Sequence, residues 1–245
     1  MILKLVGLYM AKGILYLIPV PLSDDAAFQS FTPYLVETIN TLDEYIVENE
    51  KTARKFLKLA GLKIPQNALK IHDYGKHARD KGNINDFFDG LKQGRNVGLM
   101  SEAGCPGVAD PGASIVAHAH QLGIKVVPLV GPSSILLALM ASGFSGQKFA
   151  FHGYLPIDKN ERTKKIKDLE LQSMREKQTQ IFIETPFRNN HLLEDLLKTC
   201  KSNTQLCVAC NVTSADESIK SLTVAEWKKQ KADYHKKPTI FLLYV

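Results

Sequence analysis

Ser101-Glu102-Ala103-Gly104-Cys105-Pro106-Gly107, then Asp110-Pro111-Gly112, then Gly131-Pro132-Ser133-Ser134 are the stretches of this 245-residue sequence best suited to holding a small ligand. Glycine lets backbone approach a ligand closely, and proline stiffens a loop so that ordering it costs little entropy. One cluster follows an apolar run ending at Met100, the other a run ending at Val130, and each opens into a helical pattern. In an open α/β sheet, ligands sit on loops at the carboxyl ends of strands. Two such loops in succession point to one pocket lined by both.

Other chemistries lack their residues. There is no G-x-x-x-x-G-K-[ST] phosphate loop, no G-x-G-x-x-G after the first strand, no H-E-x-x-H and no G-x-S-x-G. Cys207 and Cys210 have C-x-x-C spacing but lie in the apolar run 206–212. On a strand, residues three apart point to opposite faces, which rules out chelation, so no metal site is expected. Four cysteines in a chain this long do not make a disulfide scaffold and fit a reducing cytoplasm. A formal net charge of +6 permits a polyanionic partner without requiring one.

The elements that must position these loops read as two α/β domains, residues 1–144 and 145–245, joined near the Gly/Ser-rich segment 142–146. In the first, 14–20 reads as a strand buried on both faces, followed by a helix at 33–39, a strand at 45–47 and a helix at 51–59. A strand at 69–72, a helix at 83–93 and helices at 113–122 and 133–141 complete it. In the second, strands at 149–154, 180–183, 206–212 and 239–244 alternate with helices at 160–177, 191–199 and 224–231. Its sheet is expected to be mixed, because its closing connections are short. Thr223 and Glu226 have capping-box spacing. The amino-terminal run 1–21 carries Lys4 and Lys12 and no small-residue cleavage site, so it reads as core rather than as a signal peptide. No apolar run nears the ~20 residues that span a bilayer. A soluble, cytoplasmic protein is expected.

The order strand, SEAGCPGVADPG, helix, strand, GPSS, helix resembles the tetrapyrrole methylase superfamily. Within it, the chain is similar to the bacterial 16S ribosomal RNA cytidine 2′-O-methyltransferases, which write S-D-A-G-T-P-G-x-x-D-P-G and P-G-P-S-A here. Phe151-His152-Gly153-Tyr154-Leu155-Pro156 matches their F-x-G-F-L-P segment. Val47-Glu48-Asn49-Glu50-Lys51-Thr52-Ala53-Arg54-Lys55 resembles A-E-D-T-R-H-T-R-K, with Asn49 where aspartate is usual. Ile183-Glu184-Thr185-Pro186-Phe187-Arg188 resembles Y-E-S-P-H-R. The first loop, Pro19-Val20-Pro21-Leu22, departs from P-I-G-N-L. Cys210-Asn211 replaces a charged Arg-Glu pair, and a short form without the small extra C-terminal domain of longer members is expected.

The resemblance implies two α/β domains with a cofactor cleft between them, S-adenosyl-L-methionine as methyl donor, small-subunit ribosomal RNA as acceptor, and a homodimer. It assigns the cofactor to Pro19, Glu102, Ala103, Gly104, Cys105, Pro106, Ser133, Ser134, Glu184, Thr185, Pro186 and Asn211. RNA phosphates fall to Arg54, Lys55 and Arg188. A ribose hydroxyl needs its proton accepted, and Glu102, Asp110, Glu184 and His72 are the candidates. Each has a plainer reading. Glu102 contacts cofactor, Asp110 caps the following helix, Glu184 positions backbone, and His72 is an ordinary strand-end histidine. Two other functions stay open. One is a methyltransferase of the same fold acting on a tetrapyrrole or other small molecule. The other is a non-catalytic descendant that binds cofactor or RNA, motivated by the lost pair at Cys210-Asn211.

Overall fold

Short apolar runs alternating with amphipathic segments build two five-stranded sheets in the computed structural model, which describes residues 11–75 and 84–245. The expectations for residues 1–10 and for Asn83 lie outside the described residues. Contacts divide the chain into two units. One holds the residues up to Pro21 and Ala27–Pro132, and the other holds Leu22–Ala26 and Ser133–Val245.

The first unit runs β1 (Ile14–Leu17), α1 (Pro33–Ile39), β2 (Glu44–Val47), α2 (Glu50–Leu59), β3 (Lys70–Asp73), α3 (Asp89–Lys92), β4 (Val97–Met100), α4 (Ala113–Gln121) and β5 (Lys125–Pro128). Its sheet order is β3-β2-β4-β1-β5, and every pairing is parallel. Parallel strands need crossover helices, which cover both faces. On one face Ile18, Tyr45, Val47 and Met100 pack against Leu35 and Ile39 of α1 and Phe56 and Leu57 of α2. On the other, Leu15, Ile46, Val97 and Leu99 pack against Phe88, Leu91, Ile115 and Ala119. Tyr45 and Ile46 fall on opposite sides because successive strand residues alternate. The crossovers leaving β1 and β4 therefore run over opposite faces, and these adjacent strands mark the switch point where such sheets bind ligands.

The helix expected at 83–93 is a 3-10 turn, Ile84–Phe88, running into α3. Asn49 caps α2 through hydrogen bonds from Lys51 N (3.0 Å) and Thr52 N (3.2 Å). Asparagine and aspartate cap equally well, so the exchange at that position leaves the helix start intact.

The second unit runs α5 (Ser134–Ser142), β6 (Phe149–Tyr154), α6 (Lys159–Glu176), β7 (Thr179–Ile183), α7 (Asn189–Thr199), β8 (Gln205–Cys210), β9 (Ser218–Thr223), α8 (Val224–Trp227) and β10 (Thr239–Tyr244). Its order is β6-β7-β10-β8-β9, with β6 and β7 parallel and the other pairs antiparallel, so the sheet is mixed. Ile135, Ala138 and Leu139 of α5 pack against Ile181, Cys207, Ala209 and Leu242. The chain thus enters the second unit before α5, ahead of the boundary expected after residue 144. The opposite face, with Phe182, Val208, Cys210 and Phe241, is covered by α6, α7 and Trp227 of α8. Cys207 and Cys210 lie on opposite faces, as strand geometry requires. The Thr223–Glu226 capping box forms, but α8 stops at Trp227, since Lys228-Lys229-Gln230-Lys231 offers nothing apolar to bury. Strand β9 was not anticipated from the sequence.

Candidate functional site

In the first unit, the loops leaving β1, β4 and β5 are tied into one piece. Val20 N donates to Gly104 O at 2.9 Å, and Gly104 N returns a bond to Val20 O at 2.8 Å. Gly104 sits at φ +73°, a left-handed backbone that glycine adopts without steric penalty. A methyl group on Gly131 would fall 2.2 Å from Pro19 Cβ, so the β5 loop lies directly on the β1 loop. Cys105 Sγ donates to Pro132 O at 3.3 Å, joining the β4 and β5 loops. Burial raises the Cys105 thiol, and the Asp110 charge raises it further. It therefore stays a neutral donor rather than a nucleophile.

The neighbouring loops hold this piece in place. Glu48, just past β2, takes a hydrogen bond from Glu102 N at 3.0 Å. Tyr74, just past β3, donates to Met100 O at 3.3 Å, and burial followed by the charges of Asp110, Glu48 and Asp73 pushes its hydroxyl pKa well up. It remains a protonated donor. Asp110 accepts from Gly107 N at 2.9 and 3.0 Å and from Gly112 N at 2.6 Å. It thus folds the loop back on itself. The cap position of α4 is Gly112, and no side chain caps it.

His72 is turned elsewhere. Its Nε2 lies 2.8 Å from Glu44 Oε1, and Glu44 is fully buried. Lys70 reaches the same oxygen at 2.9 Å, and Arg95 Nη1 stands 3.0 Å from Oε2. Burial works to raise the Glu44 pKa, but the hydrogen bonds from His72 and Lys70 and the charges of Lys70 and Arg95 outweigh it. The net position is below the ordinary 4.5. Arg54 pairs with Glu50 at 2.7 Å and reaches Gln66 O, and Lys55 is exposed beside it on α2.

In the second unit, the segment after β7 forms a separate cluster. The Glu184 side chain is only 2% exposed and accepts from Thr185 N (2.6 Å), Arg188 Nε (3.1 Å) and Arg188 Nη2 (2.6 Å). This carboxylate shapes the turn and holds Arg188. Ser133 caps α5 by accepting from Leu136 N, and Ser134 is the first residue of that helix. Asn211 adopts φ +49°, donates from its backbone to Pro238 O at 2.9 Å, and ties its amide to Asp216 at 2.7 Å.

Within the first unit, then, Pro19, Gly104, Cys105 and Pro132 are brought together, and Glu184, Thr185 and Arg188 are within the second. His72, Arg54 and Asn211 each serve a local partner. Sequence reasoning missed Glu48 and Tyr74 as supports of the β4 loop. Their signal was positional, each being the first residue after a strand in a parallel sheet. Among the described residues no three His, Cys, Asp or Glu side chains converge as metal ligands, and no helix is long and apolar enough to cross a membrane.

This is the two-sheet α/β fold of the methyltransferase CobJ (TM-score 0.60, covering 95% of this chain and 94% of that one) and of diphthine synthase (TM-score 0.65, 95% and 90%). Each is 15% identical, a level that speaks to fold alone. Residues 15–228 match the family model of the tetrapyrrole (corrin/porphyrin) methylases, and the chain belongs to that family. Among curated relatives, "ribosomal RNA small subunit methyltransferase I" of Vibrio cholerae is 30% identical over 87% of this chain and 69% of its own length. The proteins of the same name from Synechocystis (31%, over 84% and 70%) and Haemophilus influenzae (32%, over 88% and 72%) match similarly. By this membership the protein is a methyltransferase.

Proposed function

We propose that the protein transfers a methyl group from S-adenosyl-L-methionine to small-subunit ribosomal RNA, the molecule named in its relatives, at a ribose 2′-hydroxyl, as the family resemblance implies. The observation that carries the reading is the fusion of the β1, β4 and β5 loops, by the Val20–Gly104 bonds and the Pro19–Gly131 contact, at the switch point of a parallel sheet. The chemistry of these loops fits the donor. Residues 101–112 carry Glu102 and Asp110 and no Lys, Arg or His, and Glu48 stands beside them. Carboxylates and carbonyls attract a sulfonium cation.

In this reading Pro19 and residues 102–106, all in the first unit, hold the cofactor, which supplies an electrophilic methyl group when bound. The protein contributes placement, because methyl transfer depends on aligning donor and acceptor within near-attack distance. Glu48, Tyr74 and Asp110 keep the β4 loop rigid, and Glu184 keeps Arg188 aimed. Of the four candidates for taking the hydroxyl proton, Glu102 is exposed on that loop, and its backbone N–H rather than its carboxylate is engaged by Glu48. A homodimer acting on cytoplasmic ribosomal subunits belongs to the same proposal, and light scattering tests its dimeric part.

The decisive experiment incubates the protein with methyl-labelled cofactor and small ribosomal subunits lacking the modification, then maps the label. Incorporation at a ribose is expected. No incorporation at saturating cofactor and subunit overturns the proposal.

A further inference from the structure

Phe187 is the one aromatic in the segment after β7, and it is 64% exposed. Isolated exposed apolar residues are ordinary, but this one has a histidine ring and a lysine ammonium set against it. His235 meets it edge-on with ring centroids 5.8 Å apart, and Lys236 Nζ stands 5.8 Å from its centroid. Arg188 follows it in sequence, and Lys237 follows Lys236.

The frame is stapled by backbone and amide hydrogen bonds within the second unit. Lys236 N donates to Pro186 O at 2.9 Å. Fully buried Asn189 donates to Lys237 O at 2.7 Å and Tyr234 O at 3.2 Å. Asn190 accepts from Tyr234 N at 2.8 Å and donates to Asp233 at 2.7 Å. The nearby acids are engaged, Asp233 by Asn190 and His235 N, and Glu184 by Arg188. Lys236 is held at φ +60°, a conformation that persists only where surrounding structure imposes it. Phe187 is therefore presented on a preorganised turn, which lowers the entropic cost of using it.

Protein interfaces enrich aromatics and arginine but deplete lysine. An exposed ring with a lysine and a histidine against it instead matches how single-stranded nucleic acid is gripped, by stacking on the ring and phosphate contacts beside it. We propose that Phe187 is a stacking platform for an unpaired base of the RNA substrate, with Lys236, His235 and Lys237 taking the adjoining phosphates. This deepens the RNA reading above and rests on it. The platform is joined directly to the turn that Glu184 and Arg188 shape, so a base seated there fixes the strand against that turn.

The test compares the full chain with Phe187→Ala, Phe187→Leu, Phe187→Trp and Lys236→Gln. Binding of short fluorescent single-stranded and duplex RNA is measured by anisotropy, and methylation of small subunits is measured alongside. Phe187→Ala and Phe187→Leu are expected to weaken single-strand binding roughly 5- to 150-fold and to raise the KM for subunits similarly, with the cofactor KM unmoved. Phe187→Trp restores both, and its emission is quenched by single strands and not by duplex. Trp227, 1% exposed, supplies a constant background. Lys236→Gln lowers the salt slope by about 0.7. Wild-type affinity in Phe187→Ala overturns the platform while leaving the RNA reading intact. So does wild-type behaviour in Phe187→Leu alone, which would mark a greasy protein contact. A wild-type protein that neither binds RNA nor methylates subunits defeats the RNA reading itself, and the platform with it.

Discussion

Gly131→Ala tests whether the loops leaving β1 and β5 act as one piece. The new methyl group would fall 2.2 Å from Pro19 Cβ and 2.6 Å from Pro19 Cγ. Carbon atoms rest about 3.5–4.0 Å apart, so the loops must separate by more than ~1 Å. Proline's ring is fixed and cannot rotate away. A displacement of about 1 Å in positioning groups costs on the order of 10²-fold, or about 2.7 kcal/mol. Overpacking also destabilises by about 1–3 kcal/mol, a melting shift of several degrees for a chain this size. Calorimetric titration should therefore find S-adenosyl-L-methionine bound about 10²-fold more weakly. Pro19→Gly removes both clashing carbons at a cost of about 0.4–1 kcal/mol through the unfolded state. The double variant should recover most of the affinity, giving a coupling energy of about 1–3 kcal/mol. If Gly131→Ala binds like the wild type, or the double variant binds no better than the single, the two loops do not jointly form the cofactor floor.

Three other perturbations separate positioning from proton transfer and from stability. Asp110→Asn keeps one acceptor for Gly107 N or Gly112 N and should mainly raise the cofactor KM, with Asp110→Ala worse; a general base would instead lose about 10²–10⁴-fold in kcat. Glu184→Gln should weaken the hold on Arg188 and lower stability by about 1–3 kcal/mol, less than a fully buried pair because Arg188 is 32% exposed; a pH–rate profile that keeps its shape excludes Glu184 as the proton acceptor. Glu44→Gln leaves Lys70, His72 and Arg95 facing one another without their anion. The Glu44 pKa is depressed in the fold, so its contribution is present above about 4.5 and is lost as pH falls through the lower folded value. Urea unfolding should show the wild type ahead near neutrality and the difference shrinking as the solution is acidified below that range, with cofactor affinity unchanged throughout.

The strands of the first unit were legible because parallel strands covered on both faces read as continuous apolar runs. Val97–Met100 is fully buried along its length. The edge strand β9 was not legible. Its Lys220 and Ser221 are exposed, and the seven residues joining it to β8 contain no glycine or proline to announce a hairpin. The turn is made by Asn211 at φ +49° and Thr213 at φ +75°, the latter a β-branched residue in a conformation it rarely takes. Of the site, the Gly/Pro loops were legible from composition, since close backbone approach and rigidity demand those residues. The partners of the carboxylates were not. Whether Glu184 meets a substrate or Arg188, and whether His72 meets a ligand or Glu44, depends on tertiary contacts that leave no periodic trace. Phe187 likewise had a visible position but an invisible exposure, because its frame comes from residues 233–238.

The two clusters differ in charge. The first-unit loops present Glu48, Glu102 and Asp110 and no fixed cation in residues 101–112. The second-unit turn sets His235 and Lys236 against Phe187, with Arg188 and Lys237 next to them in sequence. An anionic loop attracts a sulfonium donor, and that attraction ends when methyl transfer leaves a neutral thioether. At an effective dielectric near 20, a unit charge pair 4 Å apart is worth about 4 kcal/mol, and solvent exposure reduces this. Even a fraction of it would favour a charged donor over its neutral product at this loop. The same anionic loop would repel RNA phosphates, which is why a polyanionic acceptor requires cations placed elsewhere. A small-molecule acceptor would have no need of the lysine and histidine set against Phe187. Their presence there, on a turn rigidly tied to Glu184 and Arg188, is what weighs the acceptor toward RNA.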